Sequence, residues 1–260
     1  MPDVVSGGPA RTHTYLPVIP GMTAGLRGGR NVYEGTQRGW GLQYGPLRQA
    51  VIDDPLYQEA VAASVGRTIV AEENRMNLFL LLRFFLHTLP PGHIIEFGSY
   101  KGGNAIFMAY ICQQLHPGTR VFALDTFEGM PPTDKAIDAH NAGDFADVLF
   151  DDLDAYVQSL KLDNLTLVRG RFETTAESAL RSAGAIRLAH VDCDIASAVS
   201  YSYEAVKPWL VDGGYMVFDD ATVSSCLGAT EVVENLVIRR DGLNSEQIWP
   251  HFVFRQFAGR

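Results

Sequence analysis

The sequence predicts an α/β protein: a doubly wound, mostly parallel sheet with helices on both faces. Two observations predict it. From His93 onward, short apolar runs alternate with amphipathic stretches of helical length, and strand–helix alternation at these lengths marks a parallel sheet covered on both sides. Two of the apolar runs also end in paired acids, Asp192 and Asp194 after IRLAHV and Asp219 and Asp220 after YMVF. In such sheets ligands gather at the carboxyl ends of the strands.

The elements follow in order. Asp54-Pro55 reads as an N-cap and an N1 proline opening a helix that runs to about Val65. A second helix is expected from Ile69 to Thr88, ended by Pro90-Pro91-Gly92. HIIEFG is a strand and NAIFMAYICQQL a helix; RVFALD is a strand and DFADVLFDDLDAYVQSL an acid-rich helix. LTLVRG, IRLAHVD, YMVFDD and HFVFRQF are strands; TAESALRSA, SYSYEAVKPWL and LGATEVVENLVIRR are helices. Three regions result: a Gly-, Arg- and aromatic-rich loop or lid over residues 1–50, a helical extension over 51–92, and the ligand-binding domain over 93–260. Within the first, GLRGGRN and TQRGWGLQYG read as loops able to fold over a ligand, with Arg27 and Arg30 as contacts for an anionic acceptor.

Bulk properties exclude several classes. The 260 residues are 47% hydrophobic and 20% charged, enough for a sizeable core. A formal net charge of -9 without a basic run argues against nucleic acid as the main partner. Cys112, Cys193 and Cys226 form no CxxC pair and read as reduced thiols of a cytoplasmic protein. The N-terminal stretch lacks the apolar core of a signal peptide. The most apolar segment, MNLFLLLRFFLHTL, is 14 residues long and holds Arg83, too short and too charged to span a membrane.

The turn after the first strand reads EFGSYKGGNA. Gly98, Gly102 and Gly103 allow close approach of a ligand, in a G-x-x-x-G-G spacing unlike the dinucleotide fingerprint. Glu96 stands inside the strand where an apolar residue is the default, and a buried acid needs a partner. Asp125, 27 residues after Gly98, ends the second strand where an acid can accept ribose hydroxyls. A nucleoside carrying an amino acid, S-adenosylmethionine, fits these features; NAD or another nucleotide is the alternative.

With EFGSYKGGNAIFM, ALDTFEGMPPTD, VDCD and the FDDAT–Cys226-Leu227-Gly228 region in view, the chain resembles the macrocin O-methyltransferase (TylF) family over about residues 70–240. The helix ENRMNLFLLLRFF is similar as well. The resemblance implies a Rossmann-like class I methyltransferase with a seven-stranded sheet, which methylates hydroxyls of antibiotic sugars and related natural products. It implies that Glu96, Gly98, Ser99 and Tyr100 hold the methionine end of S-adenosylmethionine, that Asp125, Thr126 and Phe127 meet the ribose, and that Gly170, Arg171 and Phe172 border the adenine. Asp192, Asp219 and Asp220 match the family's magnesium ligands, with Asp192 also beside the cofactor, and Asp194 falls at the proposed general base. Ile195-Ala196-Ser197 replaces the family's aromatic and acid before the serine, pointing to a more apolar acceptor pocket. Self-association is plausible on the same ground.

The chemistry asks for such acids. A hydroxyl is a poor nucleophile while protonated; a divalent cation on oxygen ligands lowers its pKa, and a carboxylate or histidine takes the proton. Alternation along an extended strand would point Asp192 and Asp194 one way and Cys193 into the core. His190 reads as a core residue, and His140 and His251 are candidate bases that spacing does not separate. Asp144, Asp147, Asp151, Asp152 and Asp154 are expected on a solvated helix face, or in a lid. The rival functions are a catechol-type O-methyltransferase, an NAD(P)-dependent oxidoreductase on the same layered fold, and a cofactor binder without acceptor chemistry.

Overall fold

The computed structural model describes residues 46–257, Leu42 and two short strands near the N-terminus. Those strands, β1 (Leu26–Arg27) and β2 (Arg30–Asn31), pair antiparallel, so part of the stretch expected as loop is paired strand. The expectations that the N-terminal loops fold over a ligand, and that Arg27 and Arg30 reach an anion, rest on atoms outside the described residues.

Helix α1 (Pro46–Ile52) crosses the boundary expected at residue 50. Leu47 and Val51, one turn apart, are buried in it; a helix of 7 residues shows too little periodicity to be announced in sequence. Helix α2 (Pro55–Ala63) starts as expected: Asp54 Oδ1 accepts from the amides of Leu56 at 2.8 Å and Tyr57 at 3.4 Å. Such a cap stabilises by about 1 kcal/mol. Helix α3 (Glu72–Leu80) continues through a π-helical stretch, Leu81–Phe85, and a 3-10 turn, Leu86–Thr88. It begins three residues later than Ile69 because the Val70 amide donates to Thr68 Oγ1 at 3.1 Å and turns the chain. Glu72 and Glu73 then occupy the first turn, where the helix dipole favours acids.

The sheet comprises β3 (His93–Phe97), β4 (Val121–Asp125), β5 (Leu165–Arg169), β6 (Ile186–Val191), β7 (Leu210–Phe218), β8 (Ser245–Gln247) and β9 (Phe252–Gln256). Their order is β5-β4-β3-β6-β7-β9-β8, with β9 antiparallel to both neighbours and the other pairs parallel. This is the Rossmann-like class I methyltransferase fold. Strand β8 escaped the sequence reading: Ser-Glu-Gln has no apolar run, and the strand sits at the edge.

Helices α4 (Gly103–Leu115), α5 (Phe150–Ser159), α6 (Phe172–Ala183), α7 (Ala196–Val206) and α8 (Leu227–Val232, continuing as a π-helical Val233–Arg240) complete the layers. Leu56, Phe79 and Phe107 belong to the core on one face, Leu180, Tyr203 and Val233 to that on the other. Helix α5 is shorter than DFADVLFDDLDAYVQSL promised. Phe145 takes a left-handed φ of 64°, and the Asn141 amide donates to Asp144 Oδ2 at 2.8 Å, so the chain turns there instead of coiling. No helix among the described residues is long and apolar enough to cross a membrane.

From β3 the chain builds outward through β4 and β5, then returns to β6 on the other side. The carboxyl ends of β3 and β6 therefore flank the crevice where such sheets bind ligands.

Candidate active site

At that crevice Gly98 follows β3 with φ 87°. A Cβ there would run into the carbonyl oxygen of Asp192, so only glycine lets the loop cross the end of β6. The Asp192 amide donates to the Phe97 carbonyl at 2.9 Å and ties the two strand ends together. A Cβ on Gly103 would meet the Arg67 carbonyl, bringing the segment before α3 against the same loop.

Asp125, at the end of β4, holds this loop. Its Oδ2 accepts from the amides of Ser99 and Tyr100, both at 2.8 Å; its Oδ1 accepts from the Phe127 amide at 2.7 Å and Thr126 Oγ1 at 3.3 Å. Four donors fill the acceptor directions of one carboxylate. Burial still pushes the Asp125 carboxyl above its ordinary range, against those donors.

Behind the loop runs a buried polar chain. Glu96 Oε1 accepts from Asn104 Nδ2 at 2.8 Å and pairs with His190 Nδ1 at 3.1 Å. Asp219 Oδ1 gathers His190 Nε2 at 3.2 Å, His251 Nδ1 at 3.0 Å and Asn74 Nδ2 at 2.9 Å. His251 Nε2 in turn meets Asn77 Nδ2 at 2.8 Å. Burial disfavours a charged His190, yet its bonds to Asp219 and Glu96 carry it up to about 9. Burial also opposes ionisation of Asp219, but His190 and His251 hold its carboxyl far below the usual range. The expectation of His190 as a core residue is met in burial, with a hydrogen-bonding task added. His251 is corrected: it is fully buried behind Asp219 and cannot serve as a base toward an acceptor.

Asp192, Asp219 and Asp220 converge with ligand oxygens within 4.8 Å of one another. None of the three bonds to Asp219 uses Oδ2, which stays available. Burial first, then the charges of the neighbouring carboxylates, pushes Asp192 and Asp220 well above the ordinary range. Three acids that cannot all ionise together, on oxygen ligands alone, fit a hard divalent cation of the magnesium kind.

Asp194 is placed differently from the strand alternation expected. Ile195 N donates to Cys193 O at 2.6 Å and closes a γ-turn on Asp194, whose φ is 60°. Cys193 is buried as expected. The Asp194 carboxylate turns away from the acid trio toward His140 and Cys226.

These groups surround a cavity of about 360 Å³. Of the residues singled out in sequence, Gly98, Ser99, Tyr100, Asp125, Thr126, Arg171, Phe172, Asp192, Asp194, Asp219 and Asp220 line it; Glu96, Phe127 and Gly170 do not. Glu96 acts from behind through Asn104, and Phe127 through its amide. Of the acids expected on a solvated helix, Asp151 and Asp152 are exposed on α5, but Asp147 binds Tyr100 Oη and Lys101 Nζ, both at 2.6 Å, and fastens the β4–α5 loop over the glycine turn. Sequence reasoning passed over Asn74, Asn77 and Asn104. The first two were legible as polar residues one turn apart in an apolar helix.

Residues 95–221 match a family model described as a methyltransferase domain. A curated relative, the 8-demethyl-8-(2,3-dimethoxy-alpha-L-rhamnosyl)-tetracenomycin-C 4'-O-methyltransferase of Streptomyces olivaceus, is 27% identical over 177 residues, 64% of this chain and 67% of that protein. Among solved structures, the O-methyltransferase NovP superposes with a TM-score of 0.62 at 17% identity, over 87% of this chain and 98% of that one. CalS11, a calicheamicin methyltransferase, gives 0.59 at 19%, over 96% and 98%. The fold these share is the class I methyltransferase fold. The oxidoreductase rival does not fit it: a dinucleotide sheet runs in the order 3-2-1-4-5-6, whereas here antiparallel β9 lies between β7 and β8.

Proposed function

We propose that this methyltransferase transfers the methyl group of S-adenosylmethionine to a hydroxyl of a glycosylated natural product, as a magnesium-dependent O-methyltransferase of the macrocin (TylF) kind. The observation that carries the reading is the convergence of Asp192, Asp219 and Asp220 beside the glycine turn in one cavity. The name of the curated relative, which specifies a rhamnosyl-bearing acceptor, supports the sugar.

When bound, S-adenosylmethionine supplies a sulfonium methyl for in-line transfer, and a divalent cation on the three acids favours the ionised form of a hydroxyl beside it. The chain's own groups do the rest. Gly98, Ser99 and Tyr100 cradle the methionine end, steadied by Asn104 and Glu96 behind them. Asp125 takes a ribose hydroxyl by exchanging its long bond to Thr126, while its three hydrogen bonds from main-chain amides keep the loop in place. Arg171 and Phe172 bound the adenine side, with Gly170 turning the chain just before them at φ 138°. Asp194 receives the acceptor's proton on the oxygen that His140 and Cys226 leave unused. Holding the reactants in line is worth roughly 7–11 kcal/mol. The setting we propose is a cytoplasmic homo-oligomer, with residues 1–50 as a lid and 51–92 as a helical extension to the catalytic domain.

A phenol acceptor of the catechol type is the second reading, favoured by the apolar side chains of Ile195, Ala198 and Val223 in the cavity wall. The experiment is a methyl-transfer assay on metal-stripped protein with S-adenosylmethionine, offering rhamnosylated aromatic polyketides and free catechols with and without magnesium. Turnover of glycosides only with magnesium is expected. Turnover of catechols alone selects the second reading; transfer indifferent to chelation removes the metal; none on either class defeats both.

A further inference from the structure

A second cluster of donor atoms lies on the cavity wall, apart from the acid trio. His140 from the β4–α5 loop, Asp194 after β6 and Cys226 before α8 come from three separate segments. The distances are 3.5 Å from His140 Nε2 to Asp194 Oδ1, 3.5 Å from Asp194 Oδ1 to Cys226 Sγ, and 3.7 Å from Cys226 Sγ to His140 Nε2. We propose that this triangle binds a divalent cation of the zinc class, with a fourth coordination position open to the cavity.

The size of the triangle is the first argument. Zinc bonds of about 2.0 Å to nitrogen and oxygen and about 2.3 Å to sulfur, at tetrahedral angles, set the ligand atoms roughly 3.3–3.6 Å apart. The observed sides need a contraction of at most a few tenths of an ångström. Simple hydrogen bonding predicts otherwise: a histidine bonded to a carboxylate closes to about 2.7–2.9 Å. The buried His251–Asp219 and His190–Asp219 pairs of this protein stand at 3.0 and 3.2 Å, while His140 stops at 3.5 Å.

The surroundings are those of a metal site. His140 Nδ1 faces Asp144 Oδ2 at 3.4 Å, placing a carboxylate behind the ring, where metal-bound histidines carry one. The Asn141 amide donates to that same oxygen at 2.8 Å and fixes its position. Asp194 presents its oxygen from a γ-turn at φ 60°, a strained conformation for a residue with a side chain, of the kind that persists at functional sites. One nitrogen, one oxygen and one sulfur suit zinc rather than magnesium, and three protein ligands leave a position free, unlike a closed structural site. Burial keeps the Cys226 thiol protonated without metal; binding releases that proton to solvent and forms the metal–sulfur bond.

The site does not depend on the methyl-transfer reading. The test uses full-length, metal-stripped protein titrated with Co²⁺ as a spectroscopic probe and then with Zn²⁺. The expected result is a thiolate-to-cobalt absorption in the near ultraviolet that saturates, is displaced by zinc, survives excess magnesium, and remains in Asp219→Asn. Cys226→Ser should abolish the band, and Asp144→Asn should weaken cobalt binding by roughly 10- to 100-fold. Where circular dichroism shows Cys226→Ser unfolded, His140→Gln stands in, with loss of the four-coordinate visible bands as its readout. A wild-type protein without the thiolate band, or a band that outlasts Cys226→Ser, overturns the proposal.

Discussion

Asp220 Oδ2 accepts the main-chain N–H of Asp194 at 2.8 Å, so the acid after β7 fixes the backbone after β6. The bond explains why Asp194 stands outside the trio: it offers Asp220 its amide and sends its carboxylate elsewhere. Asp220→Asn keeps an acceptor for that amide but removes a charge, whereas Asp220→Ala removes both. Both variants are expected to lose magnesium affinity and roughly 100-fold or more in turnover, the scale of losing a few kcal/mol of charge stabilisation. Only the alanine should also broaden the Asp194 amide signal in a nuclear magnetic resonance spectrum. Equal spectra for the two would show that the bond does not hold the turn.

His190 sets a pH window for the metal-free protein. Its imidazole titrates at about 9 when folded, against an ordinary value of 6.5, because Asp219 and Glu96 outweigh burial. A raised folded value means stability that is complete below pH 6.5 and is lost as pH climbs through about 9. The difference corresponds to about 3 kcal/mol. Urea denaturation of chelated protein at pH 6 and pH 9.5 should show a decline in that range, and His190→Gln should flatten it. An unchanged slope in the variant would assign the decline to other groups.

Asp125 organises a loop before it meets any ligand. Asp125→Asn keeps the shape but sets its amide NH₂ either against the Ser99 and Tyr100 amides, 2.8 Å from Oδ2, or against the Phe127 amide, 2.7 Å from Oδ1. Leaving buried donors unpaired costs about 1–3 kcal/mol each. The variant should melt earlier and bind S-adenosylhomocysteine at least 10-fold more weakly in calorimetry. A weaker ligand with an unaltered melting temperature would mean that the carboxylate acts on the ribose alone.

The acids that end β6 and β7 were legible because a charged residue closing an apolar run is locally anomalous, and the parallel sheet was legible from its alternation. What stayed hidden depends on contacts across the fold. His190 meets Glu96 from 94 positions away, and Asn74 reaches Asp219 across 145; no window of sequence holds both members. The γ-turn at Asp194 defeated strand alternation because it begins one residue past the last place where alternation applies. His140 stood among the candidate bases with nothing in the spacing to select it, since its loop is positioned by Asp147, Lys101 and Tyr100 rather than by any pattern of its own.

Gly98 tests whether the crossing of β3 and β6 is the foundation of the cavity. Alanine there would have to hold a φ near 87° and fit its Cβ where the Asp192 carbonyl oxygen lies. The backbone of Asp192 cannot step aside without breaking the hydrogen bond from its N–H to the Phe97 carbonyl, and that step would carry the Asp192 carboxylate out of the trio. A penalty above about 3 kcal/mol is expected for Gly98→Ala from backbone strain and overlap together, measured as a lowered urea midpoint with unchanged m-value. Gly118→Ala is the control: its φ of 91° carries the same conformational penalty, but nothing stands within 4 Å of an added Cβ. If the two variants lose equal stability, the strained φ alone accounts for the shape of the turn; if Gly98→Ala loses far more, and cofactor and cation binding with it, the contact between glycine and Asp192 is what joins the two halves of the site.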